Sequence, residues 1–183
     1  MVEAGRELSD ASSIAEQDLV RGLRSSVDEV FATMLSTLGV HTKHGDACLL
    51  EPPVSSGTDA HDAITLEARV DIQGPLRGWI SLSCTARAAD NIARGMLLVG
   101  ANDVLAQEEV EDALKECANM IAGLLKSEML DSRGAYSIGI PSLAARKLSR
   151  VRPRGSLAYR LCAGTFDAEL WLERGPGSAG STP

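Results

Sequence analysis

The sequence predicts an α+β fold, with a helix and three antiparallel strands given twice in the order αβββααβββ and the helices packed on antiparallel sheet. Three observations carry that expectation. Two segments repeat apolar residues at three- and four-residue steps, the period of a helix with one buried face. The run Ile64 to Ile72 alternates apolar and polar without a fault, the period of a strand with one buried face. Composition supplies the third. At 183 residues and 44% hydrophobic the chain can bury one core, and with 3% aromatic residues that core must rest on Leu, Ile, Val, Ala and Met.

Taken in order, residues 1–17 are polar, acidic and small, and are expected to be disordered. The first helix is predicted from Leu19 to about Leu38, with Val20, Leu23, Val27, Val30, Phe31, Met34 and Leu38 on its apolar stripe. Cys48 to Leu50 is a weaker strand candidate, before a loop with Pro52, Pro53 and Gly57. Gly74-Pro75 turns the Ile64–Ile72 strand into a second one over Trp79–Cys84, which makes a hairpin. Thr85 is placed to cap a helix running through Ile92 to Met96, with Gly100 helping to close it. A long helix follows from Glu109 to Leu130, its buried stripe comprising Val110, Ala113, Leu114, Cys117, Met120, Ile121 and Leu124. Tyr136–Leu143, Leu157–Ala163 and Phe166–Leu172 read as three further strands, the last two joined at Gly164. Gly175 to Pro183 is a Gly, Ser and Pro tail, expected to be disordered, so the single domain spans 18–174.

Charge and cysteine usage narrow the function. A net charge of −7 opposes a general role on nucleic acid or anionic membrane, and no apolar run is long enough to span a bilayer. The start lacks the basic and apolar segments of a signal peptide, so a cytoplasmic protein with protein or small-molecule partners is expected. Cys48, Cys84, Cys117 and Cys162 form no Cys-x-x-Cys pair and read as buried small hydrophobes. His41, His44 and Asp46 lie near Cys48 without a second ligand cluster, so no metal site is expected. Gly175-Pro-Gly177-Ser-Ala-Gly180 spells a dinucleotide-binding pattern, but no helix follows it to hold a pyrophosphate. The basic run Arg146, Lys147, Arg150, Arg152 and Arg154 is either solvated charge or a surface that steers an acidic partner.

The long helix holds the candidate site. Asp112, Glu116, Asn119 and Gly123 fall on one stripe, roughly opposite the apolar one. An interior Gly costs about 1 kcal/mol against Ala and Asn roughly 0.5, so helix stability does not select this pair. The stripe is either an ordinary polar face or a docking surface, where Gly lets another backbone approach and Glu and Asn offer a carboxylate and an amide one turn apart. The two long helices also match in apolar pattern when Val20 is laid over Val110, a register that puts Ser26 at the place of Glu116 and Glu29 at that of Asn119.

Asp112-x-x-x-Glu116-x-x-Asn119, running on into Met-Ile-Ala-Gly and followed by Pro141 in a strand, resembles the signature of the CheC/CheX family of chemotaxis phosphatases. The strand Gly78-Trp-Ile-Ser-Leu-Ser leading into the Ala88, Ile92, Met96 helix is also similar, so the resemblance covers about Leu19 to Glu173. CheC-type members carry the Glu/Asn motif on both repeated helices and CheX-type members on the second alone, which is the pattern here. The Asn-to-Pro spacing is one residue short of the family pattern.

The resemblance implies hydrolysis of the aspartyl phosphate of a CheY-like response regulator. Glu116 and Asn119 would carry it: Asn119 holding the attacking water, Glu116 pairing with a lysine of the regulator, Asp112 and Gly123 bordering the contact. It implies no cofactor of the chain's own, since the Mg²⁺ belongs to the regulator, and it implies a homodimer. The alternatives are a catalytically silent adaptor of the same fold, binding a response regulator or motor-switch component, and a helix face used only between subunits.

Overall fold

The computed structural model describes residues 16–35, 65–100, 102–130, 134–143, 155–160 and 165–174. The expected Cys48–Leu50 strand, the His41–Asp46 connection, the turn at Gly164, Cys48, Cys162, the basic run 146–154 and the tail 175–183 lie outside these residues. Helix α1 (Glu16–Leu35) starts three residues before the expected Leu19. Strands β1 (Thr65–Gln73) and β2 (Leu76–Thr85) form the expected hairpin across Gly74-Pro75. Helix α2 (Ala86–Leu97) and helix α3 (Gln107–Leu125) follow, and one turn of π-helix continues α3 over Lys126–Leu130. Short strands β3 (Ser137–Ile138) and β4 (Ser142–Leu143) precede β5 (Gly155–Arg160) and β6 (Thr165–Arg174).

The two halves share one sheet. Its order is β3-β1-β2-β6-β5, every pairing is antiparallel, and β4 also pairs with β1. The expected pair of three-stranded units is therefore merged, because β2 gives one edge to β1 and the other to β6 over the long register Leu76↔Arg174 to Cys84↔Phe166. Alternate strand residues Ala68, Val70, Ile72, Ile80, Leu82, Cys84, Phe166, Ala168, Leu170 and Leu172 are buried with the apolar faces of all three helices in one core. Phe31 of α1 meets Phe166 edge-on, with ring centroids 5.1 Å apart.

Residues of the other parity face away from the helices. There Trp79 and Trp171, direct partners across β2 and β6, stack at 4.2 Å with their planes 24° apart. The Arg69 guanidinium lies 4.0 Å from the Trp79 ring centroid and is held by Asp71 at 2.8 Å. Cross-strand aromatic and cation–π pairs of this kind lock the register of neighbouring strands.

The cap and the edge show what local sequence decides. Thr85 Oγ1 accepts the N–H of Ala88 at 3.3 Å, the expected N-cap of α2. At the other end Leu98, not Gly100, takes the left-handed position, with φ 56°. Gly100 instead donates its N–H to Asp103 at 2.7 Å and accepts from Arg94, which is anchored to Asp90. The expected Tyr136–Leu143 strand is split. Gly139, Ile140 and Pro141 stand opposite only Val70 and Asp71, so one extra residue bulges out between the pairs Ile72↔Ile138 and Arg69↔Ser142. Pro141 has no N–H to give a ladder and sits at the sheet edge, where a bulge blunts further strand pairing.

Burial corrects the expected register of the duplication. Leu19, Gly22, Leu23, Ser26, Val27, Val30 and Phe31 of α1 match Val110, Ala113, Leu114, Cys117, Ala118, Ile121 and Ala122 of α3, and all are buried. The alignment moves by one residue. Ser26 cannot stand for Glu116, because it is wholly buried and its hydroxyl donates to the Gly22 carbonyl at 3.0 Å. Ser25 and Asp28 take the places of Glu116 and Asn119, and Arg21 and Ala32 those of Asp112 and Gly123. The first copy still lacks the Glu/Asn pair.

Gly78 lets β2 and β6 meet. A Cβ there would stand 1.8 Å from the Trp171 carbonyl oxygen, so the two backbones would have to part. Gly78→Ala is expected to destabilise the fold by about 3 kcal/mol. A fall in Tm of roughly 6–12 °C, read by circular dichroism, is the corresponding outcome.

Candidate functional site

The candidate site lies on α3, and the rotation of that helix decides what it displays. Val110, Ala113, Leu114, Cys117, Ala118, Ile121, Ala122 and Leu125 are buried, while Met120 and Leu124, expected in the core, are only partly so. Small Ala118 and Ala122 bring the helix close to its neighbours, and the buried stripe turns toward them. The N-terminus starts at Ala106, whose N–H donates to Glu109 Oε2 at 2.7 Å; with no side-chain acceptor at Ala106, this is half of a capping box. Glu108 and Glu109 in the first turn suit the positive end of the helix dipole.

Opposite the core, all four expected residues share one side. Asp112 and Glu116 are exposed, and Asn119 and Gly123 are partly so. Asn119 Nδ2 donates to Glu116 Oε2 at 3.4 Å. Asp112 Oδ1 accepts from Lys115 Nζ at 2.5 Å, a lysine that the sequence reading passed over although its opposite charge three residues on is the signal of such a pair. Apart from its chain neighbours and the backbone of α3 itself, no atom of the described residues lies within 4 Å of the point where a Gly123 Cβ would stand, so no packing there requires glycine. The stripe is a carboxylate and an amide joined to each other, an ion pair one turn before them and a bare turn after.

Among the described residues there is no group of three or more His, Cys, Asp or Glu placed to hold a metal ion, and no helix long and apolar enough to cross a membrane. Cys117, next to Glu116 in sequence, points the other way into the core. Burial pushes its thiol well above the ordinary range, and Cys84 and the Glu116 charge add to the rise. Cys84 is pushed up to about 12, by burial first and by the Asp167 carboxylate second. Both stay protonated at neutral pH and neither is a nucleophile. The exposed groups can hold a cation and orient a water.

Helices seated on one face of a shared antiparallel sheet are also the arrangement of solved chemotaxis proteins. Solved structures share the fold. A chemotaxis protein CheX from Vibrio vulnificus is 21% identical, with 88% of this chain and 100% of that one covered at a TM-score of 0.59. A CheX from Desulfovibrio desulfuricans is 20% identical, with coverage of 85% and 99% and a TM-score of 0.58. A structure described as a CheX-CheY-BeF3-Mg+2 complex from Borrelia burgdorferi is 16% identical, with coverage of 86% and 99% and a TM-score of 0.54. No curated protein matches the chain. The family model described as chemotaxis phosphatase CheX matches residues 66–160, and the chain belongs to that family.

Two outcomes follow from this geometry. The folded chain keeps the Cys84 proton above pH 9.0, the value at which a free thiol ionises, so this contribution to stability is complete below pH 9.0 and is lost as pH rises toward about 12. Urea titrations are expected to show stability falling through that window by up to about 1.4 kcal/mol per pH unit for this thiol, and Cys84→Ala is expected to lessen the slope. Gly123→Ala, entering open space on a helix, is expected to stabilise the chain by about 1 kcal/mol and raise Tm by roughly 2–4 °C.

Proposed function

We propose that this chain hydrolyses the aspartyl phosphate of a CheY-like response regulator, with Glu116 and Asn119 as the working pair. The observation that carries the reading is their joint display: both project from the outer side of a helix whose inner side is fixed by eight buried residues, and they are bonded to each other. Family membership supports it, as does the relative from Borrelia burgdorferi described in complex with CheY, BeF3 and Mg²⁺.

The chemistry asks little of the phosphatase. An acyl phosphate is already activated, and its hydrolysis is catalysed by placing a water in line with the P–O bond to the aspartate and by offsetting charge on the phosphoryl oxygens. Asn119 Oδ1 accepts a hydrogen bond from that water, and the neutral amide does not repel the phosphoryl group. The water oxygen bonds to phosphorus, the bond to the aspartyl oxygen breaks, and inorganic phosphate and the free carboxylate result. Glu116 pairs with a lysine that the regulator presents beside its phosphate. Mg²⁺ held by the regulator supplies charge neutralisation there. Asp112, tied to Lys115, borders the docked regulator, and Gly123 leaves room for its backbone. A homodimer and a cytoplasmic location belong to the same proposal.

Loss of radiolabelled phosphate from a purified regulator, with and without this chain, tests the reading. Asn119→Ala is expected to lower turnover about hundredfold while keeping measurable binding, as expected for a misplaced water. Glu116→Lys sets like charges against each other and is expected to weaken binding at least roughly thirtyfold. Unchanged decay with every regulator of the host would overturn the proposal.

A further inference from the structure

The carboxylate of Glu116 meets the amide of Asn119 before any partner is present, and the chemistry of that contact fixes which way the amide faces. An ionised carboxylate can only accept hydrogen bonds, whereas a side-chain amide has one accepting and one donating end. The end of Asn119 next to Glu116 Oε2 must therefore be the NH₂ group, as it is at 3.4 Å. Because the amide is planar, Oδ1 is then turned away from Glu116, leaving its lone pairs available. Gly123, one turn further, offers no side chain to hold the amide the other way. Lys115, the residue before Glu116, is engaged by Asp112.

We infer that Glu116 is a positioning residue for Asn119 as well as a docking group: one carboxylate oxygen orients the amide so that Oδ1 can accept from the attacking water, and the other is left for the partner's ammonium. The inference rests on the phosphatase reading above and adds to it a cause for the spacing of the pair. A residue three positions earlier on a helix is the neighbour that reaches the Asn119 amide, so the acid and the amide form a single preset unit. The lysine that docks to Glu116 then meets a carboxylate already committed at one oxygen, and docking and water placement draw on the same side chain.

Two substitutions separate the roles. Glu116→Gln removes the charge that pairs with lysine but keeps an oxygen able to accept from Asn119; Glu116→Ala removes both. Steady-state dephosphorylation is expected to show KM raised in both variants, with kcat at saturating phosphorylated regulator roughly fivefold lower for Glu116→Ala than for Glu116→Gln, the worth of one net hydrogen bond. A role limited to docking gives equal kcat in the two variants, and that result would overturn the inference.

A second readout needs no regulator. In ¹⁵N-labelled free protein, the side-chain NH₂ resonances of Asn119 are expected to shift in Glu116→Ala and to shift less in Glu116→Gln. Resonances unmoved in Glu116→Ala would also overturn it. If the wild-type chain leaves every regulator phosphorylated, the phosphatase reading fails by itself, while the NH₂ resonances still decide whether Glu116 orients the amide.

Discussion

The rotation of α3 about its own axis is the constraint on which the rest depends. Eight buried residues set it, among them Ala113, Ala118 and Ala122, whose small side chains let sheet and helix approach closely. Turning the helix by one residue, about 100°, would in one sense carry Glu116 into the buried place of Cys117 and in the other carry Cys117 into the exposed place of Glu116. Neither is tolerable: a buried unpaired carboxylate is costly, and Cys117 fills space in a packed interior. The stripe of Glu116 and Asn119 is thus displayed by packing on the opposite side, not by polar contacts of its own.

Much of this was legible in sequence because periodicity reports burial. The long helices, the β1–β2 hairpin, β6 and the Thr85 cap follow from spacing and from one side-chain oxygen at a helix start. The four stripe residues were placed on one face by helical geometry alone, while their association with a phosphatase came from the motif's resemblance to a family.

What was not legible depended on contacts distant in sequence. A match of apolar letters cannot separate registers that differ by one residue when Ser26 and Gly22 are themselves buried, so the apolar pattern lays Val20 over Val110 where burial lays Leu19 there. The Gly139–Pro141 bulge depends on where β3 and β4 meet β1, and merging of the sheet follows from β6 reaching the edge of β2 that β1 does not use. Leu98 takes a conformation that glycine would usually supply, and the neighbouring Arg94–Gly100–Asp103 hydrogen bonds hold that turn together.

The stacked tryptophans have an optical consequence. The chain contains two tryptophans, and they face each other across β2 and β6 on the side of the sheet turned away from α3. Intrinsic fluorescence therefore reports a single locus, where the two halves of the chain are zipped together, and it is remote from the Glu116 and Asn119 surface. At 4.2 Å the indoles are close enough for their excited states to couple, so the near-ultraviolet circular dichroism of the protein is a direct measure of whether that seam is closed.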